Sequence, residues 1–128
     1  MEKDVIQTEN APGAVGPYSQ AVRVGSFVYT AGQIGLDPST GKMVDDDIEV
    51  QTERVLNNLK AVLQAAGSSL SDVFKTTVFL LDMGEFTAMN GVYSSFFSDK
   101  PPARSAVQVA ALPLGGRVEI EAVAYLPE

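Results

Sequence analysis

The chain has 128 residues and a formal net charge of −7, with 45% apolar and 20% charged residues, which predicts one globular domain spanning residues 1–128. It contains no cysteine and no histidine, so disulfides, Cys/His zinc sites, thiol catalysis and imidazole bases are excluded. Its nine Lys and Arg residues are scattered singly, which argues against nucleic acid as the main partner.

The first half of the chain predicts a β-hairpin and then a helix. The stretches AVRVGS and FVYTAGQIG are typical of two strands joined at a Gly-Ser turn. Apolar residues recur at steps of three and four from Val55 to Ala66, which predicts a helix over about residues 48–66. Acidic residues precede or begin this helix, and Gly67 follows it, as helix ends favour.

The second half predicts a strand in DVFKTTVFLLD, a helix from about Glu85 to Ser98, and strands in RSAVQVAAL and RVEIEAVAYL. This order indicates an α+β domain with two helices packed on one face of a mixed β-sheet. Residues 78–81 are apolar on both strand faces, so we expect a helix on one face and another subunit on the other.

No apolar run approaches the roughly 20 residues that span a bilayer, and the start MEKDVIQTENAPGA has no signal-peptide core and no Arg-rich amphipathic pattern. We therefore expect a soluble protein with no membrane partner. It would be cytoplasmic, or plastid or mitochondrial if a transit peptide has been removed.

Charged residues occupy two of the predicted strands. Glu119 and Glu121 share one face of the last strand, roughly 7 Å apart, and partial burial would raise the pKa of at least one carboxyl. The linker PLGG is short, so we expect the preceding strand to lie close by and Arg104 to approach Glu119 or Glu121. Arg104 then either forms a structural ion pair or binds a ligand carboxylate bidentately.

Two further stretches are unusual. GPYSQAV predicts a turn at Gly16-Pro17, followed by Tyr18, whose phenol either caps the core or reaches a polar partner. TAGQIG places two glycines in a strand pattern, which indicates either a kink or a close approach by a ligand or backbone. The pattern alone favours a surface or capping role for Asn90.

Five segments resemble the RidA/YjgF family of reactive-intermediate deaminases: TENAPGAVGPYSQA, YTAGQIGLDPSTG, NLKAVLQAAGSSLSDVFKTTVFLLD, MNGVYSSFF and PPARSAVQVAALPLGGRVEIEAVAY. The resemblance implies chorismate-mutase-like α+β subunits that form a homotrimer, with the sheets facing inward as a barrel and sites between neighbouring subunits. It also implies hydrolysis of 2-imino acids such as 2-iminobutyrate and 2-iminopropionate, or their enamine tautomers, to 2-oxo acids and ammonia. This reaction protects pyridoxal-phosphate enzymes and requires no cofactor or metal.

The resemblance also implies roles for particular residues. Arg104 would bind the substrate carboxylate, and Glu119 would position or activate the attacking water. The other substrate-binding positions are Tyr18 at the pocket mouth, the backbones of Gly32 and Ala106, and Phe86 and Asn90 along the cleft. Many members carry Ser where this chain has Ala31 and Cys where it has Ala106.

Three other functions remain open from the sequence. The same Arg104 would serve a non-catalytic trimer that binds small carboxylates or 2-oxo acids. A ribonuclease or translation inhibitor is possible within the family, although the acidic charge opposes it. Chorismate mutase ranks last because its dianionic substrate needs several cations, and only Arg104 can be assigned.

Overall fold

The structure is a computed structural model that describes residues 2–128. These residues form two layers, a sheet of six strands and a layer of two α-helices. The strands are β1 Lys3–Ile6, β2 Ala21–Val24, β3 Phe27–Thr30, β4 Val73–Leu80, β5 Ala103–Gln108 and β6 Val118–Tyr125, and the helices are α1 Ile48–Ala65 and α2 Phe86–Phe96.

The sheet has the strand order β1-β2-β3-β6-β4-β5. The β4–β5 pair is parallel and is connected through α2, whereas all other pairs are antiparallel. This arrangement confirms the predicted α+β class with a mixed sheet. The predicted β2–β3 hairpin is also confirmed, and its turn uses Gly25, which has a φ of 58°.

The short linker predicted that β5 and β6 lie close in space, and the structure places β4 between them, so the two strands are not direct neighbours. We expected β5 to extend to Leu112, but it ends at Gln108. Its one partner strand within residues 2–128, β4, ends at Leu80. The connection therefore includes residues 109–117, which is long enough to pass the end of β4.

The core lies between the helices and one face of the sheet. On α1, Val55, Leu59 and Val62 are completely buried, as the three- and four-residue spacing predicted. The side chain of Asp47 accepts hydrogen bonds from the backbone N–H groups of Glu49 and Val50 and so caps the start of this helix. The predicted bounds of α1 are confirmed to within one residue, while α2 ends two residues before Ser98.

Within residues 2–128, the other face of the sheet has no helix against it and exposes large apolar side chains. Those at least a third exposed are Val5, Phe27, Tyr29, Phe74, Val107 and Tyr125. On β4, Val78 and Leu80 are buried towards the helices, whereas Phe79 faces the uncovered side. Cover of this side by another subunit stays a prediction.

Within residues 2–128, neither helix combines the length and the apolar character that crossing a bilayer requires.

Candidate active site

The last strand places two carboxylates on the uncovered face of the sheet. Val118, Ile120 and Ala122 of β6 are buried towards the helices, while Glu119 and Glu121 alternate with them. Glu119 is half-buried and Glu121 is exposed. The predicted alternation of β6 is therefore confirmed.

Glu119 lies in the wall of a cavity of about 400 Å³. Two other predicted site residues, Tyr18 and Gly32, line the same cavity. The remaining lining residues are Pro12, Gly13, Val15, Ala31, Gln33, Ile34, Leu36, Pro113 and Leu114. The fold thus brings together three of the residues that the sequence singled out, from the loop before β2, the segment after β3, and β6. We refer to this feature as the Glu119 cavity.

Gly32 leaves room for the close approach of the Glu119 side chain. A Cβ at position 32 would lie 2.9 Å from Cγ and 2.7 Å from Cδ of Glu119, which is closer than carbon atoms pack. Two backbone hydrogen bonds between Gln33 and Ile120, of 2.9 and 3.1 Å, fix this approach. The close neighbour of Gly32 is thus a side chain, whereas a Cβ at Gly35 would lie 3.2 Å from Cα of Gln51, so the predicted close approach by backbone is found at the second glycine of TAGQIG.

The surroundings of Glu119 disfavour the ionised form of its carboxyl group. Burial raises its pKa above the usual value, and the negative charge of Glu121 raises it further. Within residues 2–128, no Lys or Arg forms an ion pair with Glu119. A carboxylate in these surroundings accepts a proton more readily than an exposed one, as a general base must.

The loop that carries Tyr18 is held by a buried glutamine that sequence reasoning missed. The amide nitrogen of Gln20 lies within hydrogen-bonding distance of the carbonyls of Thr8, Ala11 and Pro12, at 3.0, 3.3 and 2.8 Å. Its amide oxygen accepts the N–H of Thr8 at 2.7 Å. Tyr18 itself is 50% exposed at the cavity. A glutamine directly before a predicted strand was the available signal.

Arg104 occupies a second cluster, formed by β5 and α2. Its Nη1 donates to Oδ1 of Asn90 at 2.7 Å. Its Cζ lies 5.3 Å from the ring centroid of Phe86 and 4.8 Å from that of Tyr93, within cation–π range. The structure thus places the predicted residues Phe86 and Asn90 against Arg104, and the surface or capping role that the pattern favoured for Asn90 is wrong. We refer to these residues as the Arg104 cluster.

Arg104 forms no ion pair with any carboxylate in residues 2–128, so the structural ion pair considered above is not found there. Arg117 has that role instead. Its Nε lies 3.1 Å from Oδ1 of Asp46, and its Nη1 lies 3.2 Å from Oε1 of Glu85. A planar guanidinium supplies five N–H donors, and Asn90 uses one donor nitrogen of Arg104, which leaves capacity for a bidentate anion.

Tyr93 packs its ring against the guanidinium of Arg104, a contact that the sequence did not predict. Its hydroxyl hydrogen-bonds to Oγ1 of Thr76 at 2.7 Å. Burial raises the pKa of Tyr93, while the hydrogen bond to Thr76 and the charge of Arg104 act in the opposite direction. The ring therefore stays neutral and presents its face to the cation.

Ala106 lies two residues after Arg104 on an edge strand. The N–H of Val109 donates to the carbonyl of Leu80. Because alternate residues of a parallel strand bond to the same neighbour, the N–H groups of Arg104 and Ala106 point away from β4 to the open edge. They are available to a ligand or to another chain.

Arg104 and Glu119 lie on opposite faces of the sheet, so the expected approach of Arg104 to Glu119 or Glu121 within one chain is wrong. Arg104 pairs in register with Thr76, and Glu119 pairs with Phe79. Positions 76 and 79 of one strand are an odd number apart and therefore face opposite sides. The sheet itself separates the two groups of predicted residues.

A second hollow lies away from both groups. A more open groove of about 640 Å³ runs between α1 and α2, and none of the predicted site residues lines it. Within residues 2–128, no three His, Cys, Asp or Glu side chains come together as a metal-binding cluster.

Comparisons with known proteins agree with this fold. The family model described as Endoribonuclease L-PSP matches residues 8–126. The chain is 54% identical to a RutC family protein of Pyrococcus abyssi, covering 98% of each. It is 50% identical to the 2-iminobutanoate/2-iminopropanoate deaminase of Mus musculus, covering 95% of this chain and 90% of that protein. The crystal structure of E. coli TdcF with bound serine has a TM-score of 0.91 and 45% identity, covering 97% of this chain and 99% of that chain.

Proposed function

Because this chain belongs to the RidA/YjgF family, we propose that it hydrolyses reactive 2-imino acids and their enamine tautomers to 2-oxo acids and ammonia. The substrates would include 2-iminobutanoate and 2-iminopropanoate, which are named in the activity of the mouse relative. The observation that carries the proposal is the pair of unneutralised groups. Arg104 and Glu119 each lack an ion-pair partner within residues 2–128.

The proposed active site is completed by a second copy of the chain in a homotrimer. The Glu119 cavity and the Arg104 cluster lie on opposite faces of one sheet, so one chain cannot direct both at the same small molecule. The exposed apolar side chains of the uncovered face and the open edge of β5 support packing against another copy. A head-to-tail contact of this kind closes into a ring when its rotation is 120°.

The proposed reaction needs only side chains and water. Arg104 binds the substrate carboxylate bidentately, and the Ala106 N–H adds a further donor at the same edge. The oxygen of a water forms a bond to the carbon of the protonated imine, the π electrons of the C=N bond move to nitrogen, and one water proton passes to Glu119. That proton then goes to the amine nitrogen of the carbinolamine, and the C–N bond breaks. The hydroxyl proton returns through Glu119 to the departing ammonia as the carbonyl forms.

The first test follows imines that a dehydratase generates in situ, with and without the purified protein. Faster loss of 2-iminobutanoate supports the activity. An unchanged imine lifetime together with binding of 2-oxo acids in calorimetry favours the non-catalytic carboxylate-binding trimer instead. Salt-sensitive RNA binding and cleavage would favour the ribonuclease function, which the net charge of −7 opposes.

A complementation experiment tests the shared site. The Arg104→Ala and Glu119→Gln proteins are each expected to be inactive. They should stay inactive when the purified trimers are mixed without exchanging subunits. Co-expressed in equal amounts, they form mixed trimers in which about a quarter of the sites receive Arg104 and Glu119 from intact partners. Recovery to about that fraction of wild-type activity supports sites between subunits. No recovery in demonstrated mixed trimers contradicts them.

A further inference from the structure

Two exposed apolar side chains lie in the wall of the Glu119 cavity. Val15 is 85% exposed and Leu114 is 65% exposed, yet both line the cavity that contains Glu119. Val15 comes from the loop before β2, and Leu114 comes from the turn before β6. We refer to Val15 and Leu114 as the apolar rim. Apolar groups left in water beside a cavity are covered when an apolar ligand enters.

The backbone at Leu114 is in an unfavourable conformation. Its φ is 55° and its ψ is 31°, the left-handed region that glycine and asparagine tolerate and leucine disfavours. Gly115 follows with a φ of 73°, and a hydrogen bond of 3.0 Å from Gly116 N–H to the Pro113 carbonyl closes the turn. Backbone strain of this kind is concentrated at ligand-binding positions. Here it places a large apolar side chain at the cavity, where a glycine would fit the turn more easily.

The rest of the cavity is larger and more apolar than the smallest imines require. Besides Glu119, Tyr18 and Gln33, its lining side chains are predominantly hydrocarbon, including Ile34 and Leu36. Its volume of about 400 Å³ lies within the range of about 300–1,000 Å³ that accommodates ligands much bigger than a three-carbon imino acid. The cavity therefore has space for an apolar substituent beyond the reacting carbon.

We propose that the apolar rim forms the subsite for the substrate side chain, and that Leu114 makes this chain prefer 2-imino acids with branched aliphatic or aromatic side chains over 2-iminopropanoate. This inference rests on the proposed function. The carboxylate and the imine carbon lie between Arg104 of one copy and Glu119 of the next, and the side chain extends along Leu114 and Val15.

The test compares two imines that an amino acid oxidase generates in situ, one from leucine and one from alanine. The wild-type protein is expected to have a higher kcat/KM for the leucine-derived imine. Leu114→Gly and Leu114→Asn are expected to reduce that preference by about four- to fifteenfold, the loss of one to two methylene contacts. Activity on the alanine-derived imine is expected to fall less than activity on the leucine-derived imine in both variants, because its methyl side chain buries less apolar surface.

These two substitutions keep the test interpretable. Glycine and asparagine both adopt a positive φ more easily than leucine, so we expect the melting temperature to be unchanged. Differential scanning calorimetry checks this. The matched control is Val50→Ala, because Val50 is an apolar side chain, 43% exposed, that lies outside the Glu119 cavity. An unchanged preference in Val50→Ala combined with a reduced one in the Leu114 variants supports the subsite.

Three results overturn the subsite: no wild-type preference for the longer imine, equal loss of activity on both imines in the Leu114 variants, or an unchanged preference in those variants. If the wild-type protein hydrolyses neither imine, the proposed function fails, and binding decides the subsite separately. The subsite is supported if calorimetry shows that the wild-type protein binds 4-methyl-2-oxopentanoate more tightly than pyruvate and that Leu114→Gly loses this difference in affinity. Equal binding of the two acids overturns it.

Discussion

The Glu119 cavity and the Arg104 cluster are built from opposite physical principles. In the cavity, burial and a neighbouring like charge disfavour the ionised form of Glu119 and raise its pKa. In the cluster, the faces of two aromatic rings and one amide oxygen favour the guanidinium of Arg104. One region prepares a group to accept a proton, whereas the other holds a permanent charge in a fixed orientation.

The comparison of Arg104 with Arg117 shows what distinguishes a binding cation from a structural one. Arg117 is neutralised by Asp46 and Glu85 and ties the residue before β6 to the segments that precede α1 and α2. Arg104 has neutral and aromatic neighbours that orient it without neutralising it. A cation held in this way loses little side-chain freedom when an anion arrives, because most of its entropy has already been lost.

Arg104→Ala is expected to have the largest effect on activity. Loss of a charge-assisted pair costs about 2–5 kcal/mol, which corresponds to a decrease of roughly 30- to 5,000-fold in kcat/KM. Arg104→Lys keeps the positive charge but lacks the planar guanidinium, so its kcat/KM should lie between those of the wild-type protein and Arg104→Ala. The matched control is Arg117→Ala, which should lower the melting temperature and retain near-wild-type activity where it is folded. A fully active Arg104→Ala protein would remove the carboxylate-binding role.

Glu119→Gln is expected to reduce kcat by about 100-fold, the lower limit for removal of a general base. The same change should stabilise the fold at neutral pH. The pKa of Glu119 is raised in the folded state, so ionisation favours the unfolded chain, and this cost appears as the pH rises from the usual glutamate value through the raised one. Gln has no such cost.

Thermal unfolding at two pH values checks the stability part of this prediction. The Glu119→Gln protein should melt higher than wild type at pH 7, and the difference should vanish below about pH 4, where the carboxyl is protonated in both states. A lower melting temperature at pH 7 would indicate that Glu119 has a stabilising partner, in contrast to its surroundings here.

Asn90→Ala is expected to have an intermediate effect, mainly on KM. Asn90 orients the guanidinium through one charge-assisted hydrogen bond of 2.7 Å, and such bonds contribute about 1.5–3 kcal/mol. We expect KM to rise about tenfold or more while kcat changes little, because the reacting carbon meets Glu119 and not Asn90. Ser94→Ala is the control, since Ser94 is exposed on the same helix. A fall in kcat with unchanged KM contradicts a positioning role.

Periodicity predicted the helices and the faces of β6, but not which strands are neighbours. The alternation in β6 is strict because one face is buried, and this placed Glu119 and Glu121 correctly. The position of β4 between β5 and β6 depends on the parallel crossover through α2, and the short linker concealed it. β1 was missed because only Ile6 of its residues is buried, so its sequence has no alternating pattern.

The ionic partners of the arginines also lay beyond the sequence. Arg117 reaches Asp46 and Glu85 across 71 and 32 residues, distances over which no local pattern acts. The resemblance to a family singled out Arg104 and Asn90 as site residues, but neither it nor the spacing indicated that Tyr93 supports the cation. Gln20 and Leu114 were missed for a related reason, since their importance arises from loop backbone that only the folded chain defines.

Glu121→Gln is expected to have the smallest effect and to test the cavity's electrostatics directly. The charge of Glu121 is the second cause of the raised pKa of Glu119, after burial, so its removal should shift the acidic limb of the pH–kcat/KM profile to lower pH without abolishing activity. Because Glu121 is exposed, high salt should screen its charge and shift the wild-type limb in the same direction. Salt should then have little effect on the limb of Glu121→Gln. A shift to higher pH, or a salt effect of equal size in both proteins, would mean that another group sets the proton affinity of Glu119.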